Sequence, residues 1–167
     1  MRTAITFSCF DLLHSGHVQM LRECKEHCDH LIVGLQTDPT IDRPEKNKPV
    51  QTIVERYVQL SGVKYVDEIV PYETETDVED ILKLFLPEVR IIGEDYRFKD
   101  FTGKDLCREL NIEVVYNNRK HNFSTSRLRE NVSSRSIISG DSKSPEHDSK
   151  RSEEGPGFGC PPGATLV

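Results

Sequence analysis

Hydrophobic and polar positions along most of the chain switch between two periods. Short apolar runs at residues 4–7 and 31–35 flank a stretch in which Val18, Leu21, Cys24 and Cys28 share one helical face, the pattern of strand, amphipathic helix and second strand. Such a unit predicts a βαβ fold with parallel strands and a right-handed crossover. Further on, Thr52-x-x-Glu55 reads as a capping box that opens a helix carrying Ile53, Tyr57, Val58 and Leu60 and ending near Gly62. A strand is expected at 66–70. Thr76-x-x-Glu79 reads as a second capping box, whose helix buries Val78, Ile81, Leu82 and Phe85 before Pro87 stops it. The run 89–93 gives another strand, Leu106, Cys107 and Leu110 a short helix, and 112–116 the last strand. Five strands alternating with helices predict an α/β, Rossmann-like doubly wound architecture: a five-stranded, mainly parallel sheet with helices on both faces.

Two stretches break the alternation. Residues 36–50 are polar, hold Pro39, Pro44 and Pro49, and carry Glu45, Lys46 and Lys48, so they read as a long functional loop rather than a core element. Residues 132–167 contain eight Ser, five Gly and four Pro, with Phe158 the only aromatic. Such a composition buries too little apolar surface to offset the entropy of ordering it, which predicts a domain over 1–131 and a disordered low-complexity tail over 132–167.

Composition narrows the function classes. A formal net charge of −6 over 167 residues argues against a duplex nucleic-acid partner, which favours a basic face. No apolar run approaches the ~20 residues of a membrane helix, and no signal-type apolar segment precedes the first strand, so a cytoplasmic protein without membrane attachment is expected. The five Cys form no Cys-x-x-Cys pair and read as reduced thiols. Cys24 and Cys28, with His27 and His30 nearby, read as small core residues rather than a metal site.

The chemistry concentrates between the first strand and the first helix, in Phe7-Ser8-Cys9-Phe10-Asp11-Leu12-Leu13-His14-Ser15-Gly16-His17. A turn at the carboxyl end of a strand, feeding a helix N-terminus, meets an anion with dipole, amides and here two imidazoles together. The segment Phe10 to His17 resembles the signature of the cytidylyltransferase-like nucleotidyltransferases, most closely the glycerol-3-phosphate cytidylyltransferase type. The second half of that signature is resembled by Arg119-Lys120-His121-Asn122-Phe123-Ser124-Thr125-Ser126-Arg127-Leu128, with Phe123 in place of an aliphatic residue and Ser126 in place of a threonine. Ser8 stands where the family usually has glycine, so strain or a shifted loop is expected if the backbone is left-handed there.

The resemblance covers about residues 3–130 and implies a set of roles. His14 and His17 donate to α-phosphate oxygens and Lys48 neutralises the same region. Phe7, Ser8, Cys9, Phe10, Asp11 and Gly16 shape the nucleotide-binding turn, with Asp95 beside the nucleotide. Arg119, Ser124 and Thr125 hold the leaving pyrophosphate, Ser124 also capping a new helix, and Arg56 contacts the acceptor. The implied substrates are CTP with Mg²⁺ and a phosphorylated alcohol such as glycerol 3-phosphate, and the implied assembly is a homodimer. Adenylyl transfer from ATP and a catalytically silent nucleotide-binding module are the alternatives.

Overall fold

Strands buried on both faces need continuous apolar runs rather than alternating ones, and the runs of this chain supply five strands, of which the two at the sheet edges are only partly buried. In the structure, a computed structural model that describes residues 1–118 and 123–138, these are β1 (Thr3–Ser8), β2 (His30–Gln36), β3 (Glu68–Tyr72), β4 (Val89–Gly93) and β5 (Glu113–Asn117). The helices between and after them are α1 (Ser15–Lys25), α2 (Ile53–Ser61), α3 (Glu75–Phe85), α4 (Lys104–Glu109) and α5 (Thr125–Ile138). The strands lie in the order β3-β2-β1-β4-β5 and every pairing is parallel. The expected doubly wound fold is thus present.

Period-2 alternation divides the core into two layers. On one face Ala4, Leu31, Val33, Leu35, Val89 and Ile91 pack with Leu21 and Cys24 of α1 and Leu60 of α2. On the other, Ile5 and Ile32 pack with Val78, Ile81 and Leu82 of α3 and Cys107 of α4. Ile5 pairs with Ile32 on one side and with Arg90 on the other, so β1 is the central strand. The chain winds outward through β2 and β3, then returns to the far side of β1 with β4. This reversal leaves a crevice at the carboxyl ends of β1 and β4, the place where open α/β sheets bind ligands.

Several local expectations shift. The capping box of α3 is Thr74 with Asp77, not Thr76 with Glu79: the Thr74 hydroxyl accepts from the Asp77 amide and the Asp77 carboxylate accepts from the Thr74 and Glu73 amides. Both pairs satisfy the same spacing, and the earlier one wins because β3 ends at Tyr72 rather than at Val70. The buried side of α2 is Ile53, Arg56 and Leu60, while Tyr57 and Val58 are exposed. α5 continues through Asn131 to Ile138, so the expected boundary at 131 falls inside a helix. The remainder of the expected tail, 139–167, lies outside the described residues.

One close approach fixes the sheet near the crevice. A Cβ built on Gly34 would sit 2.2 Å from Cδ1 of Phe7, because the Phe7 ring lies flat over its register partner on β2. Gly34→Ala therefore has to displace Phe7. The expected outcome is a loss of about 1–3 kcal/mol, the usual range for over-packing, read as a lower urea midpoint with an unchanged m-value.

Candidate active site

The turn after β1 is held in an unusual shape by groups around it. Phe10 and Leu12 both have left-handed backbone, with φ of 50° and 51°, which costs a non-glycine residue on the order of 1 kcal/mol each. Ser8 does not share it, so strain falls two residues later than the glycine substitution suggested. Burial of Phe10, 1% exposed within the α1 and α2 layer, offsets the strain. The Asp11 carboxylate completes the support. It accepts from the amides of Val50 and Gln51 in the loop before α2, and from Arg129 on α5. Gln51 returns the contact by accepting from the Leu12 amide. Burial pushes the Asp11 carboxyl up, but the two amides and the Arg129 guanidinium outweigh it and leave the group below the usual carboxylate range.

This turn delivers the histidines. His14 is the N-cap of α1, its Nδ1 accepting from the Gly16 amide at 3.0 Å, an arrangement that leaves the ring proton on Nε2. Nε2 lies 3.2 Å from the Thr125 hydroxyl at the start of α5. The two imidazoles stack with centroids 4.0 Å apart, and Phe10 leans on His17 at 5.3 Å. Thus His14 both caps the helix and stands in the pair. The first-turn amides are used locally, Gly16 by His14 Nδ1 and His17 by the His14 carbonyl, so α1 contributes its dipole more than its amides.

A cleft of about 410 Å³ opens here, lined by Phe7, Ser8, Cys9, Phe10, Asp11 and His17, by Ile91 to Gly93 of β4, and by Thr125, Ser126 and Arg129 of α5. His14 and Ser124 line a groove on its flank. Ser124 also accepts from the Arg127 amide in the first turn of α5, as its capping role requires. Burial pushes the Cys9 thiol up despite the nearby Arg56, which makes it a poor nucleophile.

Three expected positions are corrected. Arg56 does not face an acceptor: it is 1% exposed, and its guanidinium donates to the carbonyls of Cys9, Gln36, Thr37 and Gln51. It is a clamp between the β1 turn, the end of β2 and the loop before α2. Lys48 is not among the residues that line the cleft; its side chain is 80% exposed and 3.8 Å from Asp38. Lys46 and Asn47 line the cleft instead. Asp95 is exposed in the 3₁₀ turn after β4, and its neighbour Tyr96 faces the cleft. Arg119 lies outside the described residues. Sequence reasoning missed Gln36, Arg43 and Arg129, all of which line the cleft.

The fold and this site define a nucleotidyltransferase-type domain, and comparison with known proteins agrees. The chain belongs to the cytidylyltransferase-like family, whose profile matches residues 5–140. It is 36% identical over 129 residues to the bifunctional protein HldE of Caulobacter vibrioides, a match covering 77% of this chain and 26% of that one. With HldE of Wolinella succinogenes it shares 37% over 112 residues, covering 66% and 23%. The chain therefore spans about a quarter of the length of these relatives. Among solved structures, a lipopolysaccharide core biosynthesis protein from Thermoplasma volcanium superposes with a TM-score of 0.60 at 25% identity, over 74% of this chain and 99% of that one. Pantothenate synthetase from Thermus thermophilus shares the fold, with a TM-score of 0.53 at 14% identity over 71% and 56%. No helix among the described residues is long and apolar enough to cross a membrane.

The Asp11 carboxylate gives this site a pH signature. Its pKa is depressed in the folded state, so its contribution is complete above the unfolded carboxylate value near 4 and is lost as pH falls through the lower folded value. Asp11→Asn keeps the shape but removes the charge facing Arg129. The expected cost is about 2 kcal/mol at pH 7, measured by urea denaturation, with a flatter decline of stability below pH 4 than in the wild type.

Proposed function

We propose that the chain transfers a nucleotidyl group from a Mg²⁺-bound nucleoside triphosphate to a phosphate monoester of an alcohol. In that reaction an acceptor phosphate oxygen attacks the α-phosphorus in line. A new P–O bond forms, the bond from the α-phosphorus to the bridging oxygen breaks, and pyrophosphate leaves with that electron pair. No proton has to move between enzyme and acceptor, so the protein's part is positioning and charge stabilisation. The observation that carries the reading is the stacked His14–His17 pair on the strained turn. In this reading His17 donates to an α-phosphate oxygen, with the α1 dipole behind it. His14 supports that ring by stacking on it and carries its own Nε2–H at the Thr125 hydroxyl. Thr125 and Arg119 would meet the β and γ phosphates, Ser124 holding the α5 terminus in place, and Lys46 takes the part foreseen for Lys48.

For the donor, CTP was the expectation from the glycerol-3-phosphate cytidylyltransferase resemblance. The relatives named above are HldE proteins and a lipopolysaccharide core biosynthesis protein instead, which moves ATP, the rival donor, ahead of CTP. The lipopolysaccharide name also favours a sugar phosphate over glycerol 3-phosphate as acceptor. A homodimer in the cytoplasm remains part of the proposal, with Val54, Tyr57 and Val58 exposed on α2 as apolar surface available to a partner copy.

Pyrophosphate release from each of the four nucleoside triphosphates, against sugar phosphates and glycerol 3-phosphate, tests substrate choice. The expected result is turnover with ATP. Equal or better turnover with CTP restores the first expectation. On the confirmed pair, His17→Ala should fold normally and lower kcat by about 10²- to 10³-fold, the usual cost of one preorganised donor to developing charge, with a smaller effect on triphosphate affinity. Turnover within a few-fold of wild type overturns the assignment.

A further inference from the structure

The cleft continues past the histidine pair along one side of α1. His17, Met20 and Glu23 follow at intervals of three, so they are neighbours on the helix surface, and all three line the cleft. At a rise of 1.5 Å per residue, Glu23 stands about 9 Å along the axis from His17. That span is comparable to the distance from the α-phosphorus of a nucleotide to the far edge of its base. On the sheet side this stretch is lined by Ile92, Gly93 and Asn117, at the carboxyl ends of β4 and β5. A Cβ built on Gly93 would meet nothing within 4 Å, so the end of β4 leaves open space for a flat ring, with Met20 and Ile92 as apolar walls.

The polar side chains at this end are acceptors. Glu23 Oε1 accepts from Gln19 Nε2 at 3.1 Å, one turn back on α1, which steadies the carboxylate and leaves Oε2 as a second acceptor. No Lys or Arg pairs with Glu23 among the described residues. Asn117 gives Nδ2 to the Met20 carbonyl at 3.4 Å, so its Oδ1 remains an acceptor. The near end of the same cleft holds an imidazole and Arg129. A ligand that matches both ends is anionic at one and carries N–H donors at the other.

Among nucleobases the exocyclic group decides the match. Adenine and cytosine present an amine where guanine and uracil present a carbonyl oxygen. Against Glu23 an amine makes a charge-assisted hydrogen bond. A carbonyl oxygen there meets a like charge and leaves the carboxylate desolvated without a donor, which is the costly arrangement.

We propose that Glu23, seconded by Asn117, is the base-specificity residue of this cleft: it selects a nucleoside triphosphate whose base bears an exocyclic amine and rejects the keto counterpart. The inference rests on the transfer reading above, in which His17 meets the α-phosphate. It puts ATP and CTP in one accepted class and leaves ring size, not polarity, to separate them.

The test is calorimetric binding of two pairs to the full chain, Mg·ATP against Mg·ITP and Mg·CTP against Mg·UTP, with pyrophosphate release assayed in parallel against the panel of phosphorylated alcohols. Within each pair the ring size is the same and an amine is exchanged for a carbonyl. In the tighter-binding pair the amino member should bind more tightly by on the order of tenfold or more. Glu23→Gln keeps the shape, and its amide can turn either Oε1 to an amine or Nε2 to a carbonyl, so the preference should fall to within about threefold. Glu23→Ala should lose the preference by weakening the amino triphosphate alone, and since Glu23 is only partly buried both variants should melt with the wild type. Equal binding within the tighter pair, or a preference that both variants retain, overturns the proposal. An amino preference lost in the variants without pyrophosphate release from any combination overturns the transfer reading and leaves the base assignment standing; pyrophosphate released equally fast from amino and keto triphosphates at subsaturating concentration does the reverse.

Discussion

The Asp11 carboxylate is the constraint on which the site depends. Its side chain is 7% exposed, and it gathers three separated parts of the chain: its own strained turn, the loop before α2 through the Val50 and Gln51 amides, and α5 through Arg129. Each of these contacts is charge-assisted, roughly twice the strength of a neutral one. The turn cannot relax its two left-handed residues without releasing all three. That is why the imidazoles of His14 and His17 are fixed before any ligand arrives, and fixed donors are those that need no reorganisation as charge develops.

Arg56 performs the complementary task with the opposite charge. A buried guanidinium without a carboxylate is costly, but here four carbonyls surround it, at Cys9, Gln36, Thr37 and Gln51. Every loop that frames the cleft on the β2 side is tied to this one group. Asp11 collects amides and Arg56 collects carbonyls from overlapping segments, so both kinds of backbone group in these segments are tied to a charged side chain. In the cleft wall, Gln36 Nε2 and the Nε atoms of Arg43 and Arg129 are buried without a hydrogen-bond partner among the described residues.

The sheet, its parallel order and the turn that bears the histidines were legible because they follow from periodicity and from a motif of fixed spacing. Charged side chains were not, since one residue type serves as clamp, surface group or ligand depending on what lies across from it. Arg56 carried a readable warning: it falls three after Ile53 and four before Leu60, on the buried stripe of α2, while Tyr57 and Val58, which looked like core, lie off it. Lys46 and Lys48 sit two apart in a loop with three prolines, and no periodicity there says which one turns inward. Arg129 had no local signal at all. Its partner Asp11 is 118 residues away, and only the return of α5 to the β1 turn brings them together. The helix through Asn131 to Ile138 was missed because its composition is that of a polar segment with few apolar positions, so nothing in it marks a buried stripe.

The overall charge and the local charge of this protein point in opposite directions, and distance decides between them. A formal net charge of −6 opposes the approach of any triphosphate. At physiological ionic strength, however, fields decay over about 8 Å, so carboxylates on the far faces of α2 and α3 matter little at the cleft. Among the described residues, the Lys and Arg side chains that line the opening are Arg43, Lys46 and Arg129, and two of them are already paired with Glu75 and Asp11. Attraction by bulk charge is therefore weak at both ranges. For the triphosphate of the proposed reaction, affinity would rest on directed donors at fixed positions and on the divalent cation proposed to accompany it, the regime where geometry, more than charge count, determines what a site accepts.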